Sequence, residues 1–99
     1  MEKFSLSELK ALWEAILALE TPKECERFFE DICTIKELQD ISQRLEVAKL
    51  LKKGSVYTEI AAKTGASTAT ISRVNKCLSY GSGGYELVLN RLKEDKINK

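Results

Sequence analysis

The stretch YTEIAAKTGASTATISRV, residues 57–74, decides the fold of this chain. It has the pattern of two short helices, about 57–64 and 67–79, on either side of Gly65. Glycine tolerates the positive φ that a tight turn after a helix requires. The small residue four positions before this glycine lets the two helices pack closely where they cross. The spacing therefore predicts a helix-turn-helix over about 57–79.

The second helix of this pair has two faces of opposite character. Because a helix turns by about 100° per residue, Ile71, Val74 and Leu78 fall on one side and form an apolar stripe. The opposite side carries short, polar and basic residues, and the predicted helix contains no acid. Ser67 or Thr68 can cap its start. One face is thus suited to the protein core and the other to the major groove of DNA.

The charge of the chain is unevenly distributed. Residues 1–46 carry 11 acidic and 6 basic side chains, a net charge of −5, whereas residues 47–99 carry 4 acidic and 10 basic ones, a net charge of +6. Within residues 52–80 the ionisable side chains, apart from the tyrosines and Cys77, are five bases and one acid: Lys52, Lys53, Lys63, Arg73, Lys76 and Glu59. A local basic region is what contact with DNA phosphates requires.

We therefore expect double-stranded DNA to be the partner of the helix-turn-helix. Arg73 is suited to a guanine edge or a phosphate, and Thr68 and Thr70 to thymine methyl groups or phosphates. The candidate DNA-binding residues are Thr58, Ser67, Thr68, Ala69, Thr70, Ser72, Arg73 and Lys76. On the residues alone a second function stays open. The modest net charge also suits a protein-interaction module that docks another protein through the same helix-turn-helix.

Enzymatic and metal-dependent functions are disfavoured. The chain contains no histidine, which removes the commonest general base and a common zinc ligand. Its cysteines, Cys25, Cys33 and Cys77, are far apart and form no C-x-x-C motif. We expect them to be free thiols, buried or half-buried, and we expect neither a metal site nor a catalytic site nor a cofactor.

The rest of the chain also has helical patterns. The predicted helices outside the helix-turn-helix run over about 7–19, 22–32, 35–53 and 85–95. Capping boxes begin the second and third of these, at Thr21 and Thr34. In the third, Leu38, Ile41, Leu45 and Ala48 should line the apolar face. No stretch alternates as a strand does, so we predict an all-α single domain over residues 1–99 with about six helices.

The chain has no features of a secreted or membrane protein. Its apolar runs are only a few residues long, and its first residues lack the apolar segment of a signal peptide. We expect a cytoplasmic protein without membrane contact. A domain this small buries a limited share of its surface, so dimerisation would help to stabilise it.

With these elements in place, the chain resembles the Trp repressor family, and within it the small bacterial TrpR-related proteins of the YerC/YecD group. The resemblance covers residues 28–94, and its most specific part is GASTATISRVNKCL, residues 65–78, preceded by LLKKG, residues 50–54. It implies an intertwined homodimer that acts as a transcription regulator, with repression as the expected effect. Such a dimer would bind a pseudo-palindromic operator with its two helix-turn-helices in successive major grooves.

The resemblance also implies a possible ligand pocket. In the Trp repressor, tryptophan binds between the helix that corresponds to residues 35–53 and the second helix of the helix-turn-helix. Arg44, Arg73 and Thr34 match positions that hold it. Val74 replaces a glycine beside the indole, and Cys77 replaces a serine that meets the amino group. Because a valine side chain would narrow the slot, we expect that tryptophan is not the ligand. A repressor that depends on a small-molecule corepressor other than tryptophan stays an alternative.

Overall fold

The computed structural model describes the backbone of residues 6–98 and the side-chain surroundings of residues 7–93. In chain order the described residues form six helices: α1 (Leu6–Leu17), α2 (Pro22–Ile32), α3 (Ile35–Lys52), α4 (Tyr57–Thr64), α5 (Thr68–Tyr80) and α6 (Gly84–Asn98). Residues 6–98 contain no strand, so the predicted all-α fold of about six helices is confirmed. The contacts divide the chain into two compact units, and the boundary in the sequence follows Leu38 in α3. The single domain stays a prediction.

Local capping explains where α2 and α3 begin. The Thr21 hydroxyl accepts a hydrogen bond from the Glu24 N–H at 3.1 Å, and a proline occupies the first turn of α2. The predicted capping box is only half formed there, because the Glu24 carboxylate accepts from the Glu20 N–H at 2.8 Å. At the start of α3, the Thr34 hydroxyl accepts from the Glu37 N–H at 3.1 Å, and the Glu37 carboxylate accepts from the Thr34 N–H at 2.8 Å. These bonds satisfy N–H groups that have no partner inside a helix, so both starts are encoded locally.

The first unit leaves much apolar surface open. No residue of α2 is buried. Side chains that would normally lie in a core are half or more exposed: Trp13 53%, Leu17 83%, Ile32 51% and Ile35 76%.

The second unit has a closed core. Its buried side chains come from α3, α4, α5 and the turn before α5, and they are Val47, Ala48, Leu50, Ile60, Ala66, Ile71 and Val74. The predicted stripe on α3 is wrong in part, because of its four residues only Ala48 is buried and Ile41 is 50% exposed. The carboxyl-terminal half of α3 is apolar on a second side as well, and it is Val47 and Leu50 of that side that join the core of α4 and α5.

The three cysteines are free, as expected. The expectation that they are buried or half-buried holds for Cys33 and is wrong for Cys25 and Cys77, which are exposed. Among residues 6–98, none of the helices combines the length and hydropathy that crossing a membrane requires.

Candidate nucleic-acid interface

The turn of the helix-turn-helix is built on Gly65. Its φ of 75° and ψ of 5° lie in the left-handed region, and its N–H donates to the Ala61 carbonyl at 2.9 Å. A Cβ added at this position would meet no atom within 4 Å. Glycine is therefore required here for its backbone conformation and not for space.

Hydrogen bonds hold the turn on both sides of this glycine. The Thr64 hydroxyl donates to the Ile60 carbonyl at 2.7 Å and accepts from the Ala66 N–H at 3.1 Å. Ala66 is buried at 4% exposure, so the turn is packed as well as hydrogen-bonded. The path of the chain from α4 into α5 is thus closely restrained.

Of the two predicted caps of α5, Ser67 is the one that the structure uses. Its hydroxyl oxygen accepts from the Thr70 N–H at 3.1 Å, and its O–H donates to the Thr70 hydroxyl at 3.1 Å. Thr68 is the first helical residue and is exposed.

The two faces of α5 lie as the periodicity predicts. Ile71 and Val74 are 0% and 1% exposed in the core, and Leu78 is partly buried against it. The polar face is open to solvent, with Ala69, Ser72, Arg73 and Lys76 all exposed. Because the buried face anchors the helix, this open face has a defined orientation on the second unit.

The remaining candidate DNA-binding residues are placed as follows. Thr58 is exposed in the first turn of α4, and Ser67 and Thr68 are exposed at the start of α5. Thr70 is half-buried and is engaged by Ser67. The structure therefore brings the eight candidates onto α4, α5 and the turn, and their contacts with DNA stay predictions.

One of the basic side chains has a partner within the chain. The Lys52 ammonium lies 2.8 Å from the Glu86 carboxylate and 3.5 Å from the Asn90 side-chain oxygen, both on α6. Lys53, Lys63 and Lys76 are exposed, so the basic surface rests on them and on Arg73. The Lys52 pair is itself partly exposed, so its contribution to stability is small.

An open, largely apolar pocket of about 510 Å³ lies at the carboxyl-terminal end of α5. Its lining comes from α3, α5, the glycine-rich loop and α6: Ile41, Arg44, Leu45, Cys77, Gly81, Ser82, Gly83, Gly84, Tyr85 and Val88. Of the five expected ligand residues, it includes Arg44 and Cys77. Val74 is instead buried in the core, Arg73 lies on the open face of α5, and Thr34 caps α3.

No motif or periodicity in the sequence indicated a role for Gln43, a polar residue of the second unit. Gln43 on α3 donates from its side-chain nitrogen to the Thr64 carbonyl at 3.1 Å. A single glutamine on a helix carries no motif, and its partner is a backbone atom 21 residues away. Only the tertiary structure could show this contact.

The paired helices, the left-handed glycine and the open face of α5 are the features by which the chain can be compared with known proteins. The family model described as Trp repressor protein matches residues 7–93. The chain belongs to the Trp repressor family. The match begins in α1 and ends within α6, so this family member carries the family pattern beyond its helix-turn-helix.

Known relatives agree with this assignment. The YerC protein of Bacillus subtilis (strain 168) is 52% identical over 94 residues, which cover 95% of this chain and 90% of YerC. The crystal structure of a TrpR like protein from Eubacterium eligens ATCC 27750 matches with a TM-score of 0.87 at 52% identity, over 90% of this chain and 92% of that one. A crystal structure from Staphylococcus aureus matches with a TM-score of 0.87 at 47% identity, over 90% of this chain and 89% of that one.

Proposed function

We propose that this Trp repressor family member is a sequence-specific DNA-binding transcription regulator, and specifically a repressor that binds a pseudo-palindromic operator as a homodimer. One observation carries the proposal. The face of α5 formed by Ala69, Ser72, Arg73 and Lys76 is exposed and free of acids, while the opposite face is fixed in the core by Ile71 and Val74.

The chemistry of this face suits the major groove. Arg73 offers a planar fork that can donate to a guanine edge or to a phosphate, and Lys76 offers a second positive charge. The short side chains of Ala69 and Ser72 let the helix approach the bases closely. Phosphate contacts would supply affinity, base contacts would supply selectivity, and occupation of promoter DNA would repress transcription.

The open apolar surface supports the homodimer. Leu17 of α1 is 83% exposed and Ile35 of α3 is 76% exposed, and Leu87 and Leu92 of α6 are about half exposed, at 51% and 46%. A monomer would leave these side chains in water, whereas a second copy could cover them. Two helix-turn-helices on one symmetric particle would match two half-sites about one helical turn apart.

The first experiment captures genomic fragments on the purified, ligand-free protein at physiological salt and sequences those retained. A recurrent pseudo-palindrome with half-sites about 10 base pairs apart is the expected result. Uniform, salt-sensitive retention of all fragments would instead favour dependence on a corepressor. If no fragment is retained, the DNA-binding proposal fails, and a protein-interaction module becomes the better explanation of the helix-turn-helix.

A matched pair of variants then tests the face. Arg73→Ala should weaken binding to the captured operator by about 1–3 kcal/mol if Arg73 reads a base, and should relax selectivity at one position of the site. Arg27→Ala removes the same charge from the exposed surface of α2 and should leave operator binding close to that of the wild-type protein. Equal effects of the two substitutions would mean that only total charge matters.

The pocket beside α5 favours a second candidate, a repressor whose operator affinity depends on a small-molecule corepressor other than tryptophan. Arg44 could pair with an anionic group, while Ile41, Leu45 and Val88 offer an apolar wall. This candidate predicts that a metabolite extract raises operator affinity and that Arg44→Gln removes the increase. L-Tryptophan itself should show no saturable binding by calorimetry.

A further inference from the structure

Gln43 joins α3 to the end of the first helix of the helix-turn-helix. It is half-buried, and its side-chain nitrogen donates to the Thr64 carbonyl oxygen at 3.1 Å. This carbonyl belongs to the last turn of α4, where backbone oxygens have no partner within the helix. Because a carbonyl can only accept, only the NH₂ end of the Gln43 amide can face it.

Thr64 is also the residue through which the turn is organised. Its hydroxyl bridges the Ile60 carbonyl and the Ala66 N–H, and α5 begins only four residues after it, at Thr68. A displacement of Thr64 would therefore be passed directly to the start of α5. Gln43 restrains the helix pair at this joint.

The apolar contacts of the same region provide attraction but little direction. Val47, Ile60 and Ile71 pack together in the core, and burial of apolar surface is non-directional. A hydrogen bond, in contrast, depends on distance and angle. A small rotation of α4 on α3 could keep the apolar side chains buried and would still break the bond from Gln43 to Thr64.

We propose that Gln43 is a positioning residue that fixes the orientation of the helix-turn-helix on α3 and so the presentation of the open face of α5. This inference rests on the proposed DNA-binding function and deepens it. In a homodimer on a pseudo-palindrome, the two copies of α5 must enter half-sites at a set spacing. A small rotation of each copy would therefore cost base contacts. Contacts to phosphates of random DNA tolerate such a rotation better.

The test compares operator and random DNA for three full-length variants at one salt concentration. Gln43→Met keeps the length of the side chain and removes the donor. Gln39→Met makes the same change one turn earlier on α3, at an exposed position. Gln43→Lys restores a donor at the end of a long side chain. The operators are the fragments captured by the wild-type protein.

We expect the ratio of operator to random affinity to fall up to about tenfold for Gln43→Met, as loss of one restraining hydrogen bond allows. The ratio should be unchanged for Gln39→Met and should recover in part for Gln43→Lys. Amide hydrogen exchange of Gly65 and Ala66 should become faster in Gln43→Met alone. Such a change of selectivity, with the helical content retained, is not expected of a residue that only stabilises the fold.

Two results would overturn the inference while the proposed function stands. In the first, Gln43→Met keeps the wild-type affinity for both operator and random DNA. In the second, Gln43→Met weakens binding to both DNAs equally and only in proportion to a loss of thermal stability, which would make Gln43 a structural residue. If the wild-type protein itself retains no DNA, the proposed function has failed, and the positioning role fails with it.

Discussion

The two units of the chain differ in how completely they bury their own apolar side chains. In the second unit, Ile60 and Ile71 are fully buried, and the helix-turn-helix has a core of its own. In the first unit, Trp13 and Leu17 are 53% and 83% exposed, although most residues there are helical as well. The comparison teaches that a segment can form helices without burying its apolar side chains within the same chain. One chain completes the core of the second unit, whereas α1 and α2 leave apolar surface that a second copy would cover in the proposed dimer.

The largest effect is expected where the core is closed. Ile71→Ala should lower the free energy of unfolding by about 2–5 kcal/mol, because it leaves a cavity at a fully buried position. Urea denaturation followed by circular dichroism measures this. Val56→Ala, at a position that is 58% exposed, should change stability by less than about 0.5 kcal/mol. Similar small losses for both variants would show that the second unit is not tightly closed.

The open surface of the first unit should matter for association. Leu17→Glu should weaken the dimer by about 2 kcal/mol, roughly thirtyfold in its dissociation constant, because a carboxylate replaces an apolar group at the proposed interface. Sedimentation equilibrium measures the shift towards monomer. Ala11→Glu, at an exposed position about 120° around the same helix, adds the same carboxylate away from Leu17 and should leave the dimer largely intact. An unchanged dimer in Leu17→Glu would remove this side of α1 from the interface.

A smaller effect is expected at the turn. Gly65→Ala should cost about 1–2 kcal/mol of stability, because an alanine side chain is disfavoured at positive φ even where space is available. Gly84→Ala, where φ is not positive and the nearest atom to an added Cβ is 4.0 Å away, should be neutral or slightly stabilising. Because a Cβ has room at both positions, thermal unfolding of the two variants separates conformational strain from the general effect of an added methyl group. A neutral Gly65→Ala would contradict the left-handed turn.

The smallest effects, on the helix caps, should be alike in both units. Thr21→Ala at the start of α2 and Ser67→Ala at the start of α5 each remove a capping hydrogen bond of the same length, 3.1 Å. Ser67→Ala also removes the exposed bond between the Ser67 and Thr70 hydroxyl groups. Each should cost about 1 kcal/mol by denaturant unfolding, since a cap acts within its own helix. Thr68→Ala, at the exposed first residue of α5, is the control and should cost less. A much larger cost in one unit would mean that its caps support more than their helices.

Most of the helix-turn-helix could be predicted from the sequence because its signals are local. The bounds of α4 agree with the prediction, and α5 differs by one residue at each end. Gly65, the cap at Ser67 and the spacing of Ile71 and Val74 act over a few residues. The stripe on α3 was harder, because which of two apolar sides is buried depends on what packs against it.

The candidate site also has one part that the sequence predicts and one part that depends on tertiary packing. The open face of α5 follows from helical periodicity, but the pocket does not, since only Arg44 and Cys77 of its expected residues lie in the lining. Val74 is drawn into the core, where it packs with residues of α3 and α4. No periodicity indicates the bond from Gln43 to Thr64.

The amino-acid sequence by itself determined the six helices, the caps at Thr21, Thr34 and Ser67, the glycine turn and the two-sided character of α5, because each depends on neighbours within one or two helical turns. Only the tertiary structure decided which side of α3 is buried, which residues line the pocket and which side chain restrains the turn. These features depend on packing between helices that are distant in sequence. Hydrophobicity favours their burial without specifying a direction, and the direction comes from the partners that the fold brings together.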